Sequence, residues 1–84
     1  MSAWREEGGE LTRELRFADF AEAFAVVTRV AEIAERLDHH PDIEISYNRV
    51  VLRCTSHDAG RNVTERDHRL AGEIDAMLAE VGDG

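Results

Sequence analysis

Hydrophobic and polar residues near the start of the chain alternate in the manner of a β-strand. Leu11, Leu15 and Phe17 are separated by polar residues, and this period of two places side chains on alternate faces of a sheet. The pair Gly8-Gly9 precedes them and is a turn signal between two extended segments. The pattern therefore predicts two strands joined by a short turn.

The next segment changes to the period of a helix. Asp19 stands three residues before Glu22, which is the arrangement of a capping box at a helix start. Apolar residues then recur at steps of three and four, the spacing of one helical stripe. The members of the stripe are Phe20, Phe24, Val27, Ala31 and Ala34. We expect this stripe to face the core and the helix to end near Leu37, because Pro41 prevents its continuation.

The second half of the chain repeats the two-strand pattern. Ile43, Ile45 and Tyr47 alternate with polar residues and predict a third strand. The segment VVLRCTS, residues 50–56, predicts a fourth. Asn48-Arg49 between them is short enough for a tight hairpin turn. We expect Tyr47 to serve packing rather than chemistry.

A second helix is predicted near the end of the chain. Thr64 stands three residues before Asp67, again the spacing of a capping box. The apolar stripe that follows consists of Leu70, Ile74, Met77, Leu78 and Val81. The element order β-β-α-β-β-α predicts an α+β fold in two layers, an antiparallel four-stranded sheet with both helices on one face. We expect residues 1–84 to form a single domain.

Charge and length narrow the classes of function. The net charge of −8 disfavours binding to nucleic acid or to anionic membranes, which depends on Lys and Arg. No apolar run approaches the roughly 20 residues that span a bilayer, and MSAWREEGGE lacks the features of a signal peptide. We therefore expect a cytoplasmic protein that does not associate with membranes. A chain of 84 residues buries a limited core, so we also expect a homodimer or homotetramer.

The cysteine content excludes two kinds of site. Cys54 is the single cysteine, so the chain holds neither an internal disulfide nor a zinc site built from cysteines. Because Cys54 lies in the apolar run VVLRC, we expect a buried and unreactive thiol.

The adjacent histidines His39-His40 lie between the first helix and Pro41. One interpretation is structural, since a charged histidine at the C-terminal end of a helix interacts favourably with the helix dipole. A metal site is not expected, because adjacent histidines lack the one-face spacing of the motif HExxH.

The third interpretation is acid–base chemistry. His57 follows the fourth strand, and a hairpin places that end beside the start of the third strand, so His57 and His39-His40 should meet. Imidazoles, with an unperturbed pKa of about 6.5, exchange protons near neutral pH.

The spacing of these residues resembles the signature of the pterin-4a-carbinolamine dehydratases. The residues that carry it are Glu35, His39, His40, Pro41, Tyr47, His57 and Asp67. Three longer segments are also similar to that family, namely RFADFAEAFAVVTRVAEIAERLDHHP, YNRVVLRCTSHDAG and VTERDHRLA. The resemblance extends from Trp4 to about Leu78, and the family's β-β-α-β-β-α fold agrees with the element order above.

The resemblance implies an enzyme that dehydrates a 4a-hydroxytetrahydropterin to the quinonoid dihydropterin, in the recycling of tetrahydropterin after aromatic amino acid hydroxylation. A general acid helps the C4a hydroxyl to leave and a general base takes the proton from N5. No metal and no organic cofactor is implied, because the pterin is the substrate. Family members are dimers or tetramers.

The resemblance also implies roles for individual residues. His39 and His57 are candidates for proton transfer, and His40 for holding the pterin. Further candidates for the lining of the pocket are Asp38, Thr55, Ser56, Asp58 and Trp4.

Three supporting residues complete this set. Glu35 is expected to orient His39, Asp67 to hold Arg66 or the edge of the site, and Pro41 to direct the chain out of the helix. Structural alternatives stay open for three candidates: Glu35 as a solvated charge, Asp67 as the capping partner of Thr64, and Trp4 as a core residue. Ile43 departs from the family pattern, where many members carry an aromatic residue.

Two alternative functions share this fold. One is a protein-binding module, either a dimerisation cofactor of a transcription factor or an assembly chaperone for a carbon-fixing enzyme. The other is a role in molybdopterin metabolism. The intact set of His39, His40 and His57 argues for retained catalysis.

Overall fold

The computed structural model describes residues 3–81. Its secondary structure confirms the predicted order of elements. The strands are β1 (Arg5–Glu7), β2 (Glu10–Arg16), β3 (Asp42–Ser46) and β4 (Arg49–Cys54), and the helices are α1 (Phe20–Leu37) and α2 (Glu65–Val81). A turn of 3-10 helix, His57–Ala59, lies between β4 and α2.

The four strands form one antiparallel sheet in the order β1-β2-β4-β3. The long strands β2 and β4 lie at its centre, with Leu11 opposite Cys54 and Leu15 opposite Val50. These four side chains are buried in a core that both helices complete. The α+β architecture predicted from the alternating pattern is therefore confirmed.

The prediction of which face of α1 packs in the core is largely wrong. Phe20 and Phe24 are 46% and 53% exposed, and their rings contact each other with centroids 5.8 Å apart. The residues of α1 that are buried are Ala23, Val26, Val30, Ile33 and Ala34. Both rows are apolar and both have helical spacing, so periodicity alone could not choose between them. The row with the smaller side chains is the one that packs against the sheet.

The turn between β3 and β4 is displaced by one residue from the prediction. Tyr47 and Asn48 form the turn, and Tyr47 has a positive φ of 54°. The Asn48 side chain donates to the carbonyl of Phe17 at 3.0 Å, and the Phe17 amide donates to the Asn48 carbonyl at 2.9 Å. Tyr47 is 67% exposed, so the expectation that it packs within the chain is wrong.

Both ends of α1 follow the predicted signals. The side chain of Asp19 accepts from the Glu22 amide at 2.9 Å, which confirms the capping-box start. The helix ends at Leu37, and Asp38 adopts the left-handed conformation with φ 53°. This conformation is common just after a helix because it redirects the chain while its amide still reaches the last turn.

The strand β4 ends at Cys54, two residues earlier than predicted. Thr55 and Ser56 leave the ladder, and Ser56 pairs instead with Asn62 through an isolated bridge. Cys54 itself is fully buried, and burial raises the pKa of its thiol to about 12. The predicted burial of the thiol is confirmed, and its raised pKa disfavours the reactive thiolate form.

Neither helix within residues 3–81 combines the length and apolarity that a membrane crossing requires.

The pair Gly8 and Gly9 offers a matched test of the first turn. Both have positive φ, and a Cβ at Gly8 meets nothing within 4 Å, whereas a Cβ at Gly9 falls 2.1 Å from the carbonyl oxygen of Arg61. We expect Gly8→Ala to cost about 1 kcal/mol from the left-handed backbone alone. Gly9→Ala should cost roughly 1–3 kcal/mol more because backbone must move. Urea unfolding of both variants measures this, and equal losses would contradict the close approach of the two turns.

Candidate active site

The C-terminal end of α1, the segment after β4 and the start of α2 surround a cleft of about 290 Å³. Its lining residues are Asp38, His39, His40, Thr55, His57, Asp58 and Arg66. All of them except Arg66 were predicted as site residues from the sequence. The hairpin of β3 and β4 brings these segments together, because Asp42 at the start of β3 lies opposite Arg53 near the end of β4.

His39 reaches its position through the end of α1. The amide of Asp38 donates to Glu35 and the amide of His39 donates to Ala34, so both amides remain tied to the last helical turn. The side chain of His39 is then directed inward and the residue is only 8% exposed. A backbone set by the helix end thus places one imidazole against the protein interior.

The imidazole of His39 is bonded to a buried carboxylate. Its Nε2 lies 2.7 Å from Oδ1 of Asp67, which is fully buried at the start of α2. The other oxygen, Oδ2, accepts from the Ser56 hydroxyl at 2.7 Å and from the Thr64 amide at 2.9 Å. Asp67 therefore acts both as the capping partner of Thr64 and as the anchor of His39.

Asp67 remains ionised despite its burial. Desolvation alone raises the pKa of a buried carboxyl, but the hydrogen bonds from His39, Ser56 and Thr64 outweigh it and hold the pKa of Asp67 below its usual range. An ionised carboxylate only accepts hydrogen bonds. The Nε2 atom of His39 must therefore carry a proton.

The second nitrogen of His39 is the one available for chemistry. Nδ1 has no hydrogen bond to any residue within residues 3–81. This atom is not fully buried. Because His39 lines the cleft, we infer that Nδ1 is the ring nitrogen that a ligand there can reach. Because Nε2 is committed to Asp67, Nδ1 is the atom that can accept or donate a proton.

Glu35 orients a different histidine from the one expected. Its Oε2 lies 2.6 Å from Nε2 of His40, whereas His39 is held by Asp67. The imidazole of His40 and the carboxylate of Glu35 are 55% and 77% exposed, so this pair lies in solvent at the rim of the cleft. The assignment of Glu35 to His39 was wrong because the left-handed residue Asp38 turns His39 away from the outer face of α1.

His57 and Asp58 lie on the 3-10 turn opposite the end of α1. The side chain of His57 is exposed and has no hydrogen-bonding partner within residues 3–81. Asp58 accepts from Nη1 of Arg66 at 3.1 Å, and Nη2 of the same guanidinium donates to the Asp38 carbonyl at 3.1 Å. Asp67 does not hold Arg66 as one expectation had it, since the carboxylate of Asp67 is directed inward.

Thr55 and Ser56 differ in what they can offer a ligand. The Thr55 hydroxyl donates to the carbonyl of Gly9 at 2.7 Å, which leaves only its oxygen lone pairs for the cleft. Ser56 is 1% exposed, and its hydroxyl is shared between Asp67 and Thr64. Its expected place in the lining was wrong, and it supports Asp67 instead.

Trp4 lies outside the cleft. Its indole N–H donates to Oδ1 of Asp75 at 2.8 Å, and it lines a separate depression with His68 and Gly72 on α2. The expectation that Trp4 walls the pocket was wrong, because β1 pairs along the far edge of β2 from β4. Pro41 does not line the cleft either and directly precedes β3.

Arg66 is the lining residue that sequence reasoning did not place in the cleft. A signal for it was present, because Arg66 precedes Asp67 in the first turn of α2. Arg66 projects from the same helix start, and its guanidinium reaches Asp58 and the Asp38 carbonyl. Within residues 3–81, no three His, Cys, Asp or Glu side chains are grouped in a way that could hold a metal ion.

Comparison with known proteins identifies the relatives of this chain. The sequence profile described as Pterin 4 alpha carbinolamine dehydratase matches residues 1–77. A protein of Acidobacterium capsulatum is 50% identical over 78 residues, which cover 93% of this chain and 84% of that protein. A protein of Chloroflexus aurantiacus is 51% identical over 75 residues, covering 89% and 80%. Both carry pterin-4-alpha-carbinolamine dehydratase as a provisional name.

Solved structures share the fold. A transcriptional coactivator/pterin dehydratase from Brucella melitensis superposes with a TM-score of 0.80 at 36% identity, covering 88% of this chain and 80% of that one. A pterin dehydratase-like protein identified as a RuBisCO assembly factor in the alpha-carboxysome gives a TM-score of 0.74 at 23% identity, covering 89% and 88%. The second likeness shows the fold alone.

The lowered pKa of Asp67 predicts how stability changes in acid. A carboxyl whose folded pKa lies below its ordinary value of 3.8 stabilises the fold fully above that value and loses the contribution as pH falls through the folded pKa. We expect Asp67→Asn to lower the free energy of unfolding by roughly 2 kcal/mol at neutral pH. The deficit should shrink below about pH 4, as the wild type itself loses the ionised form.

Urea unfolding of both proteins between neutral pH and about pH 3 measures this difference. Glu65→Gln is the control, because Glu65 is exposed and has no recorded partner within residues 3–81. A deficit for Asp67→Asn that stays constant across this range would show that the charge of Asp67 does not stabilise the fold.

Proposed function

We propose that this chain, which belongs to the Pterin 4 alpha carbinolamine dehydratase family, dehydrates a 4a-hydroxytetrahydropterin to the quinonoid dihydropterin. The observation that supports this activity best is the cleft in which His39, His40 and His57 meet. One of these imidazoles is bonded to a buried, ionised carboxylate. Elimination of water needs a proton donor and a proton acceptor on one substrate, and a cleft with several imidazoles can supply both.

In this proposal His39 is the general base. Its Nδ1 accepts the proton from N5 of the pterin, and the electron pair left on N5 forms the new double bond to C4a as the hydroxyl departs. The imidazolium that results is stabilised by the Asp67 carboxylate on Nε2. The same contact supports the assignment, since it holds the ring in place and commits Nε2, which leaves Nδ1 as the proton acceptor.

His57 is the general acid in this scheme. It protonates the C4a hydroxyl, which leaves as water. The proton lost by His57 and the proton gained by His39 balance, and exchange with solvent restores both imidazoles. Its exposed position and the absence of a recorded side-chain partner within residues 3–81 suit a group that must be reprotonated by solvent in each cycle.

The remaining lining residues bind the pterin. His40, which Glu35 orients at the rim, holds the ring, while the Asp38 carboxylate accepts hydrogen bonds from pterin N–H groups. The Thr55 oxygen supplies a further acceptor. These contacts position the substrate between the two proton-transfer groups, and positioning contributes to the rate because it removes the entropy cost of orientation.

A binding function without catalysis is the competing proposal, and the histidines separate the two. A module that only binds another protein does not require a buried charge network behind one histidine. Burying Asp67 has a cost in desolvation that only its hydrogen bonds offset. Proton transfer would use that arrangement in addition to its role in stabilising the start of α2.

We expect His39→Ala and His57→Ala each to lower turnover at least about 10²-fold, the lower end of the contribution of one acid–base group. The measurement is the decay of a freshly generated 4a-hydroxytetrahydropterin, followed by ultraviolet absorbance. His68→Ala is the matched control, because His68 is an exposed histidine that lines the depression beside Trp4 rather than the cleft. Circular dichroism establishes that each variant is folded.

Three outcomes decide the proposal. Acceleration by the wild type that is lost in both cleft variants and retained in His68→Ala supports it. Wild-type rates in His39→Ala and His57→Ala would show that the proton-transfer assignment is wrong. A folded wild-type protein that does not accelerate the reaction would favour the binding function.

A further inference from the structure

The guanidinium of Arg66 is bonded to both sides of the cleft. Nη2 donates to the main-chain carbonyl of Asp38, the residue before His39, and Nη1 donates to the carboxylate of Asp58, the residue after His57. Both distances are 3.1 Å. One side chain on α2 thus contacts the neighbours of both histidines that the proposed reaction uses.

Apart from Arg66, the two segments are linked through the bonds of His39 and Ser56 to Asp67. These bonds do not include His57 or Asp58. Residues 57–59 form a single 3-10 turn outside the sheet, and no side chain caps its start. Asp38 lies beyond the end of α1 in the left-handed conformation. Within residues 3–81, no hydrogen bond joins residues 38–40 directly to residues 57–59, so other residues set the separation of the two segments near the cleft.

We propose that Arg66 is a positioning residue that holds the segment carrying His39 and the segment carrying His57 at the separation that proton transfer requires. This inference rests on the proposed dehydration, but its structural part can be tested without it. The geometry requires the forked guanidinium group of arginine (the fork), because its two terminal nitrogens donate to two acceptors at once. A lysine has a single ammonium on a flexible stem and cannot reproduce that arrangement.

Three variants test the fork against a simple effect of charge. Arg66→Gln removes the charge and the fork, and Arg66→Lys keeps the charge and removes the fork. Arg69→Gln is the control, since it removes one positive charge from the same helix at an exposed position with no recorded hydrogen bond within residues 3–81. Steady-state kinetics of dehydration give kcat and KM for each.

We expect Arg66→Gln and Arg66→Lys to lower kcat about tenfold, as misplaced catalytic groups do, with a smaller change in KM. Arg69→Gln should match the wild type. If Arg66→Lys has wild-type kcat, the residue acts through its charge alone and the positioning role is overturned.

Amide hydrogen exchange provides the readout that does not depend on activity. The amides of Ala59 and Arg61 donate to the Ser56 carbonyl and that of Gly60 to the His57 carbonyl, while the amide of His39 donates to the last turn of α1. We expect exchange at these amides to rise about two- to fivefold in both Arg66 variants, the range that loss of exposed charged contacts produces. Amides in the middle of α2 should be unaffected.

Asp58→Asn separates the two arms of the contact. It weakens the bond to the 3-10 turn and leaves the bond to the Asp38 carbonyl, so faster exchange should be confined to the amides of Ala59, Gly60 and Arg61.

Unchanged exchange in Arg66→Gln would overturn the positioning role whatever the kinetics show. Faster exchange in a protein whose wild type has no dehydratase activity would retain the structural role and reject the proposed function.

Discussion

The bond between His39 and the buried carboxylate of Asp67 is the interaction on which the rest of the site depends. It joins the end of α1 to the start of α2, and through Ser56 it also reaches the segment after β4. Removing the Asp67 carboxylate leaves His39 and Ser56 without their buried partner, at a cost of roughly 2 kcal/mol. In a small domain this cost is a large fraction of the total stability. The same few atoms therefore support both the stability of the fold and the proposed function.

The same bond explains why the two adjacent histidines differ. His39 is buried and its Nε2 is committed to Asp67, whereas His40 lies at the exposed rim with Glu35. The left-handed residue Asp38 produces this division, because it turns the chain before the pair begins. Two neighbours in sequence thus enter two environments, one suited to proton transfer and one to binding.

The order of the elements and the meeting of the histidines could be predicted from the sequence because both follow from local rules. Alternation and helical spacing define the strands and helices, and a hairpin necessarily brings His57 beside His39 and His40. Specific partners could not be predicted in this way. Glu35 has the helical spacing to reach His39, but the backbone beyond Leu37 is no longer helical, and the carboxylate meets His40 instead.

The exposed face of α1 was missed for a related reason. Phe20 and Phe24 have the larger apolar side chains, yet the row from Ala23 to Ile33 packs against the sheet. When one helix carries two apolar rows, packing against the sheet decides which row is buried. The periodic pattern of the sequence does not contain that information. Likewise Ser56 lies in the segment predicted as the fourth strand, but the chain leaves the ladder after Cys54, and the Ser56 hydroxyl donates to Asp67.

The tautomer of His39 is the most direct test of this account, and nitrogen NMR of the imidazole measures it. At about pH 8, where imidazoles are ordinarily neutral, we predict that His39 carries its proton on Nε2 and that Nδ1 is unprotonated. That result would support donation from Nε2 to the Asp67 carboxylate, with Nδ1 left free to accept a proton. A proton on Nδ1 would contradict the account, because Nε2 could then not donate to Asp67 and the nitrogen proposed to accept the substrate's proton would already be occupied.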